Sequence, residues 1–161
     1  MATISSYKVK SIIQLFLITF VILFLFNISN KPSLTNIKYV NIGGGRVEVD
    51  LAITERARMI GLSGRASLDE DRGLLFIFDK LGRYSFWMKD MNFPIDIIWL
   101  APPEGGDNDE MKIVFIKENA LPIDYPETYT PYKDALYILE VVAGYTFKNN
   151  LKVGDTVEFG Y

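Results

Sequence analysis

Ile37-Lys38-Tyr39-Val40-Asn41-Ile42-Gly43-Gly44-Gly45-Arg46-Val47-Glu48-Val49-Asp50-Leu51 is the stretch that decides the fold. Its second half alternates. Val47, Val49 and Leu51 fall on one face and Arg46, Glu48 and Asp50 on the other, the period-two signature of a half-buried strand. The apolar run before the glycines predicts a partner strand, and the glycines predict the turn between them. A phosphate-cradling loop would need a helix after its glycines, whereas here a second strand follows.

Working outward, further strands are predicted at residues 73–78 (GLLFIF), 84–88 (YSFWM), 95–100 (IDIIWL), 111–117 (MKIVFIK), 135–142 (ALYILEVV) and 156–159 (TVEF). Residues 54–62 (TERARMIGL) predict a helix, with Thr54 as its cap, Glu55 in its first turn and Gly61 as its end. Residues 144–150 are a second, shorter helix candidate. Residues 101–110 (APPEGGDNDE) read as a solvated loop. Close-set short strands with one or two short helices predict a mainly β domain over residues 37–161. The expected architecture is a small barrel or sandwich of about six to eight strands. Strand and helix do not alternate regularly enough for a parallel α/β sheet.

The N-terminal part has a different character. Residues 12–28 read IIQLFLITFVILFLFNI, without a charge. As a helix this run rises roughly 25 Å, close to the hydrocarbon thickness of a bilayer, and Ser11 and Ser29 can extend it. Lys8 and Lys10 precede it and no acid occurs before Glu48. By the positive-inside rule residues 1–11 are expected in the cytoplasm and the domain outside it. A cleavable signal peptide is the alternative. It would leave the domain secreted or periplasmic, but Asn27-Ile28-Ser29-Asn30-Lys31 lacks the small-residue cleavage pattern. No cysteine follows, so a lipoprotein anchor is excluded. Residues 29–36 read as a linker.

All 20 acidic residues, and every basic residue except Lys8 and Lys10, lie beyond this segment. The resulting acidic excess argues against nucleic acid as a partner. The chain has no histidine and no cysteine. Ser-His-Asp and Cys-His nucleophilic sites, His- or Cys-bound zinc and disulfide redox chemistry are therefore excluded. Stability must come from the core, without disulfide staples.

The order of motifs from Val47 to Val157 resembles the DUF192 family, a domain of unknown function found in bacteria and archaea. The matching residues begin with Glu55-Arg56, Gly61-Leu62-Ser63-Gly64-Arg65, Ser67-Leu68 and Arg72-Gly73-Leu74-Leu75-Phe76-Ile77-Phe78. They continue with Phe86-Trp87-Met88-Lys89, Ile95-Asp96-Ile97-Ile98 and Glu118-Asn119-Ala120. Leu139-Glu140-Val141, Ala143-Gly144 and Leu151-Lys152-Val153-Gly154-Asp155 close the series. Leu74 stands where the family pattern usually has methionine, and residues 103–109 lengthen a turn that is often tighter. The resemblance implies a compact β-rich fold, often exported. It brings no activity, substrate or catalytic residues.

Two carboxylates stand inside apolar strands, Asp96 and Glu140, the latter on one face with Leu136, Ile138 and Val142. A buried unpaired carboxylate costs several kcal/mol, so each is expected to meet a cation or to protonate. Arg65, Arg72 and Lys89, from the same motif set, are the expected partners. Asp96 and Glu140 are thus candidates for a catalytic acid/base pair, as in glycoside cleavage, or for structural ion pairs that pin the sheet. Arg65, Arg72, Trp87, Lys89, Asp96 and Glu140 are the ligand-binding candidates.

Trp87, Trp99, Phe86 and Tyr84, with Tyr125, Tyr129 and Tyr132 of the proline-spaced loop, either face a sugar or fill the core. Met88 and Met91 could hold Cu(I) but are too few for a useful site, so packing is expected. The acidic residues 104–110 lack the EF-hand order for calcium. No cofactor or metal is expected. The functional expectation is a membrane-anchored ligand-binding or accessory module of the cell envelope, with an envelope glycan or envelope protein as partner. The alternatives are a carboxylate-dependent enzyme on envelope carbohydrate and a structural protein–protein interaction domain.

Overall fold

The computed structural model describes residues 6–29, 36–103 and 110–161, with the side chains of residues 6–10 and 25–29 excepted. The chain divides into two compact units, Met1–Ser33 and Leu34–Tyr161. In the first, α1 is a helix over Ser6–Ser29. Its described side chains, residues 11–24, are all exposed. Among the described residues no helix is long and apolar enough to cross a membrane. Residues 1–5 and most of the expected linker (30–35), and residues 104–109 of the acidic loop, lie outside the described residues.

The second unit is a closed seven-stranded barrel carrying a small ribbon. Its strands are β1 (Tyr39–Ile42), β2 (Gly45–Ala52), β3 (Arg72–Gly82), β5 (Ile95–Ala101), β6 (Glu110–Ala120), β8 (Ala135–Val142) and β9 (Thr156–Gly160). They close in the order β1-β2-β3-β8-β5-β6-β9, with β9 returning to β1. The sandwich alternative drops out, because closure leaves no free sheet edge. The glycine turn forms as expected: Gly43 and Gly44, at φ of 61° and 77°, join β1 to β2 in a two-residue loop. That geometry suits glycine at both positions and matches strand twist. One pair, β2 with β3, is parallel. It is reached through α2 (Glu55–Ile60), the crossover that parallel pairing requires.

Alternation along the strands divides the apolar residues into two cores. Val47, Val49, Leu75, Ile77, Ile98, Leu100, Leu139 and Val141 fill the lumen. Leu74, Phe76, Ile97, Trp99 and Ile138 point outward and form a second core with Leu62, Met88 and Tyr129. This outer layer is completed by a two-stranded ribbon of β4 (Phe86–Trp87) and β7 (Thr128–Tyr129). Every residue of β5 is buried, as expected for a strand covered on both faces. The second predicted helix appears as α3, Tyr145–Lys148.

Candidate functional site

Glu140 lies on β8 opposite Leu74 of β3 and Ile97 of β5. The period-two rule turns all three side chains to the outer face, so the carboxyl is flanked by aliphatic neighbours. It is 5% exposed, and its Oε2 has no hydrogen-bond partner. Burial pushes its pKa up to about 8; the positive charge of Arg65 pulls the other way without offsetting it. At neutral pH this group is therefore mostly a neutral acid.

Above Glu140 opens a cavity of about 570 Å³. One wall is α2 and the turn after it, with Arg58, Met59, Ile60 and Ser63; the others are the end of β3 and the segment through Trp87. Thr54 fixes the start of α2 by accepting the backbone N–H of Ala57 at 3.1 Å. Gly61 ends it at φ 53° and ψ −132°. A Cβ at Gly61 would stand 3.3 Å from the Phe76 ring and 4.0 Å from Glu140 Oε2, so the glycine keeps the space above the carboxyl open.

The lining is rich in aromatic rings: Phe76, Phe78, Tyr84, Phe86 and Trp87. Phe76 meets Phe86 edge-on and Phe78 stacks on Tyr84. Arg58 lies over Phe78 and donates to the carbonyl oxygens of Ile53 and Ile77, which fixes its charge at the wall. Trp87 is half exposed and meets Tyr125 edge-on.

Asp96 occupies the opposite face of the same sheet. Its register partner is Val141, whose side chain belongs to the lumen, whereas Glu140 is paired with Ile97. Asp96 is fully buried and accepts four hydrogen bonds, from the backbone N–H groups of Asn119, Gly144 and Thr146 and from the Thr146 hydroxyl. It ties the start of α3 to β5 and β6. The sheet thus lies between the two carboxylates, and they do not flank one substrate.

The expected cation partners also stand elsewhere. Arg65 pairs with Asp50 at 3.1 Å, and Arg72 with Asp50 at 3.1 Å and Glu48 at 3.3 Å, all partly exposed on the outer face near β2. The expectation that Arg65, Arg72 or Lys89 would pair Asp96 or Glu140 is corrected on this point: Asp96 is satisfied by N–H and O–H donors, and Glu140 Oε2 by none. The Lys89 side chain is exposed, and its backbone carbonyl accepts the Ser63 hydroxyl. Of the six ligand-binding candidates, only Glu140 and Trp87 line the cavity. Arg58, Met59, Phe76 and Phe78 line it too and were missed, because no local spacing announces that α2 and the end of β3 converge. Trp99, Met88 and Tyr129 are buried packing residues, whereas Tyr132 is exposed. Among the described residues no group of acidic side chains could hold a metal.

The sequence model of DUF192, described as "Uncharacterized ACR", matches residues 38–159. Two crystal structures share the fold. One is a candidate transcription regulator from Sinorhizobium meliloti 1021, 29% identical with a TM-score of 0.63, covering 71% of this chain and 82% of that one. The other is a protein of unknown function from Novosphingobium aromaticivorans DSM 12444, 27% identical with a TM-score of 0.66, covering 76% of this chain and 84% of that one. No curated protein matches the sequence.

Proposed function

The chain belongs to the DUF192 family, and from that premise we propose that it is a membrane-anchored ligand-binding module of the cell envelope, its ligand seated in the cavity above Glu140. One observation carries the reading: a buried carboxyl with an unpartnered oxygen at the wall of a largely apolar, open cavity. Such an oxygen costs about 1–3 kcal/mol when it is left unsatisfied, and a ligand group that completes it recovers that energy. Large apolar cavities with one convergent polar group are the usual form of small-molecule sites.

The anchor rests on the uncharged residues 12–28 and on Lys8 and Lys10 before them. An intact mass of 18.3 kDa for the protein extracted from membranes supports retention of the segment, and a smaller mass means cleavage. Regulation of transcription is not carried over from the Sinorhizobium relative, since the acidic excess of the domain disfavours nucleic acid. Carbohydrate cleavage by Asp96 and Glu140 acting together is not proposed either, given their opposite faces.

The test is a thermal-shift and ligand-observed NMR screen of the full chain in lipid nanodiscs, against small apolar molecules and cell-wall fragments. Binding that raises the melting temperature and is lost in Trp87→Ala supports the reading. Half-exposed Trp87 can be removed at little cost to the fold. A screen without binders, or binders indifferent to Trp87→Ala, would overturn it.

A further inference from the structure

We infer that the ligand of this cavity is a small organic cation, an ammonium group on an apolar body, whose N–H bonds end on the Glu140 carboxylate. This deepens the reading above and rests on it. The oxygen to be completed belongs to a carboxyl, and an ammonium is the donor that completes the ionised form most strongly. Among the described residues, none of the cations near the site is committed to that oxygen. Arg65 is held by Asp50, and Arg58 donates to two backbone carbonyls.

The walls suit the same ligand. Five aromatic side chains line the cavity, and aromatic faces attract cations, more so when water is excluded. The charged groups lining the cavity are Glu55 and Arg58 on the α2 side and Asp79 and Lys80 at the end of β3. These four balance; Arg65, which pulls on Glu140 from outside the lining, is itself ion-paired with Asp50, so no wall cation pairs Glu140 once it ionises. Anionic ligands would face a carboxyl that no wall cation pairs, and the apolar lining gives a strongly hydrated sugar little to bond.

In the empty cavity near neutral pH, Glu140 holds its proton. On binding, that proton goes to solvent, the O–H bond is replaced by N–H···O bonds from the ammonium, and no other bond changes. Below the Glu140 pKa the affinity for the cation therefore rises with pH by about tenfold per unit, and one proton is released per ligand bound.

Phenethylammonium and its neutral isostere 2-phenylethanol test this by calorimetry, on the full chain in nanodiscs at pH 6, 7 and 8 and in two buffers of different ionisation enthalpy. The expected result is that the amine binds more tightly than the alcohol, gains affinity with pH and releases a proton. Glu140→Gln should weaken the amine at least tenfold and leave the alcohol within about twofold. The pH series uses the unaltered protein, so it does not depend on how the variant folds. Alcohol binding as tight as the amine, or amine affinity that falls with pH or ignores Glu140→Gln, would overturn the cation while leaving the cavity reading standing. If neither compound binds, both fall.

Discussion

Glu140 and Asp96 show how one residue type, buried in one sheet, is used in two ways. Asp96 accepts four donors and is a structural knot. Asp96→Ala leaves those donors unpaired and is expected to cost about 3 kcal/mol or more in urea unfolding, while ligand affinity of the folded protein is unchanged. A loss of affinity without loss of stability would return Asp96 to the binding site. Glu140 has an elevated pKa, so its linkage to stability runs the other way from that of a paired acid. Below its ordinary value of 4.5 the group is protonated in folded and unfolded chains alike. Between there and about pH 8 the unfolded chain loses the proton and the folded chain keeps it. Stability contributed by the neutral acid therefore falls as pH rises across that window, by an amount on the order of several kcal/mol. Glu140→Gln removes this dependence. Melting curves should show the variant near the parent at pH 5 and several degrees above it at pH 9; parallel curves at both pH values would mean an ordinary carboxylate.

At the scale of elements, α2 matters most, because it forms a wall of the cavity without burying a single residue of its own. Its position depends on its ends. Removing the cap with Thr54→Ala should cost about 1 kcal/mol and show as faster amide exchange in residues 57–61, ahead of any change in the barrel. Exchange unchanged there would mean that the wall is held by other contacts. The elements themselves were largely legible. The hairpin, α2 with its cap and its closing glycine, and β8 all follow from local pattern and turn chemistry. The site was not. Alternation put Glu140 on a face with Ile138, but Ile138 could equally have faced the lumen. That its face is the outer one, and that Asp96 takes the other, follows from the register of β5 with β8, a long-range fact. The ribbon strand β7 was hidden in the tyrosine- and proline-rich loop, where two paired residues leave no periodicity to read.

For the barrel unit as a whole, closure decides where a ligand can go. The lumen is packed with aliphatic side chains, and the space lies instead in the outer layer, between the sheet and the elements that cover it. The cavity can therefore vary through α2 and the ribbon while the barrel stays fixed, an arrangement that separates the stabilising core from the layer in which the proposed ligand would sit. Burial, which pushes its pKa up to about 8, brings the charge change of Glu140 close to neutral pH. The most direct measurement is a carbon-detected NMR titration of the Glu140 carboxyl in the ligand-free protein. The expected midpoint is about 8; a midpoint near the ordinary glutamate value of 4.5 would show that the carboxyl is hydrated or paired and would contradict the site proposed here.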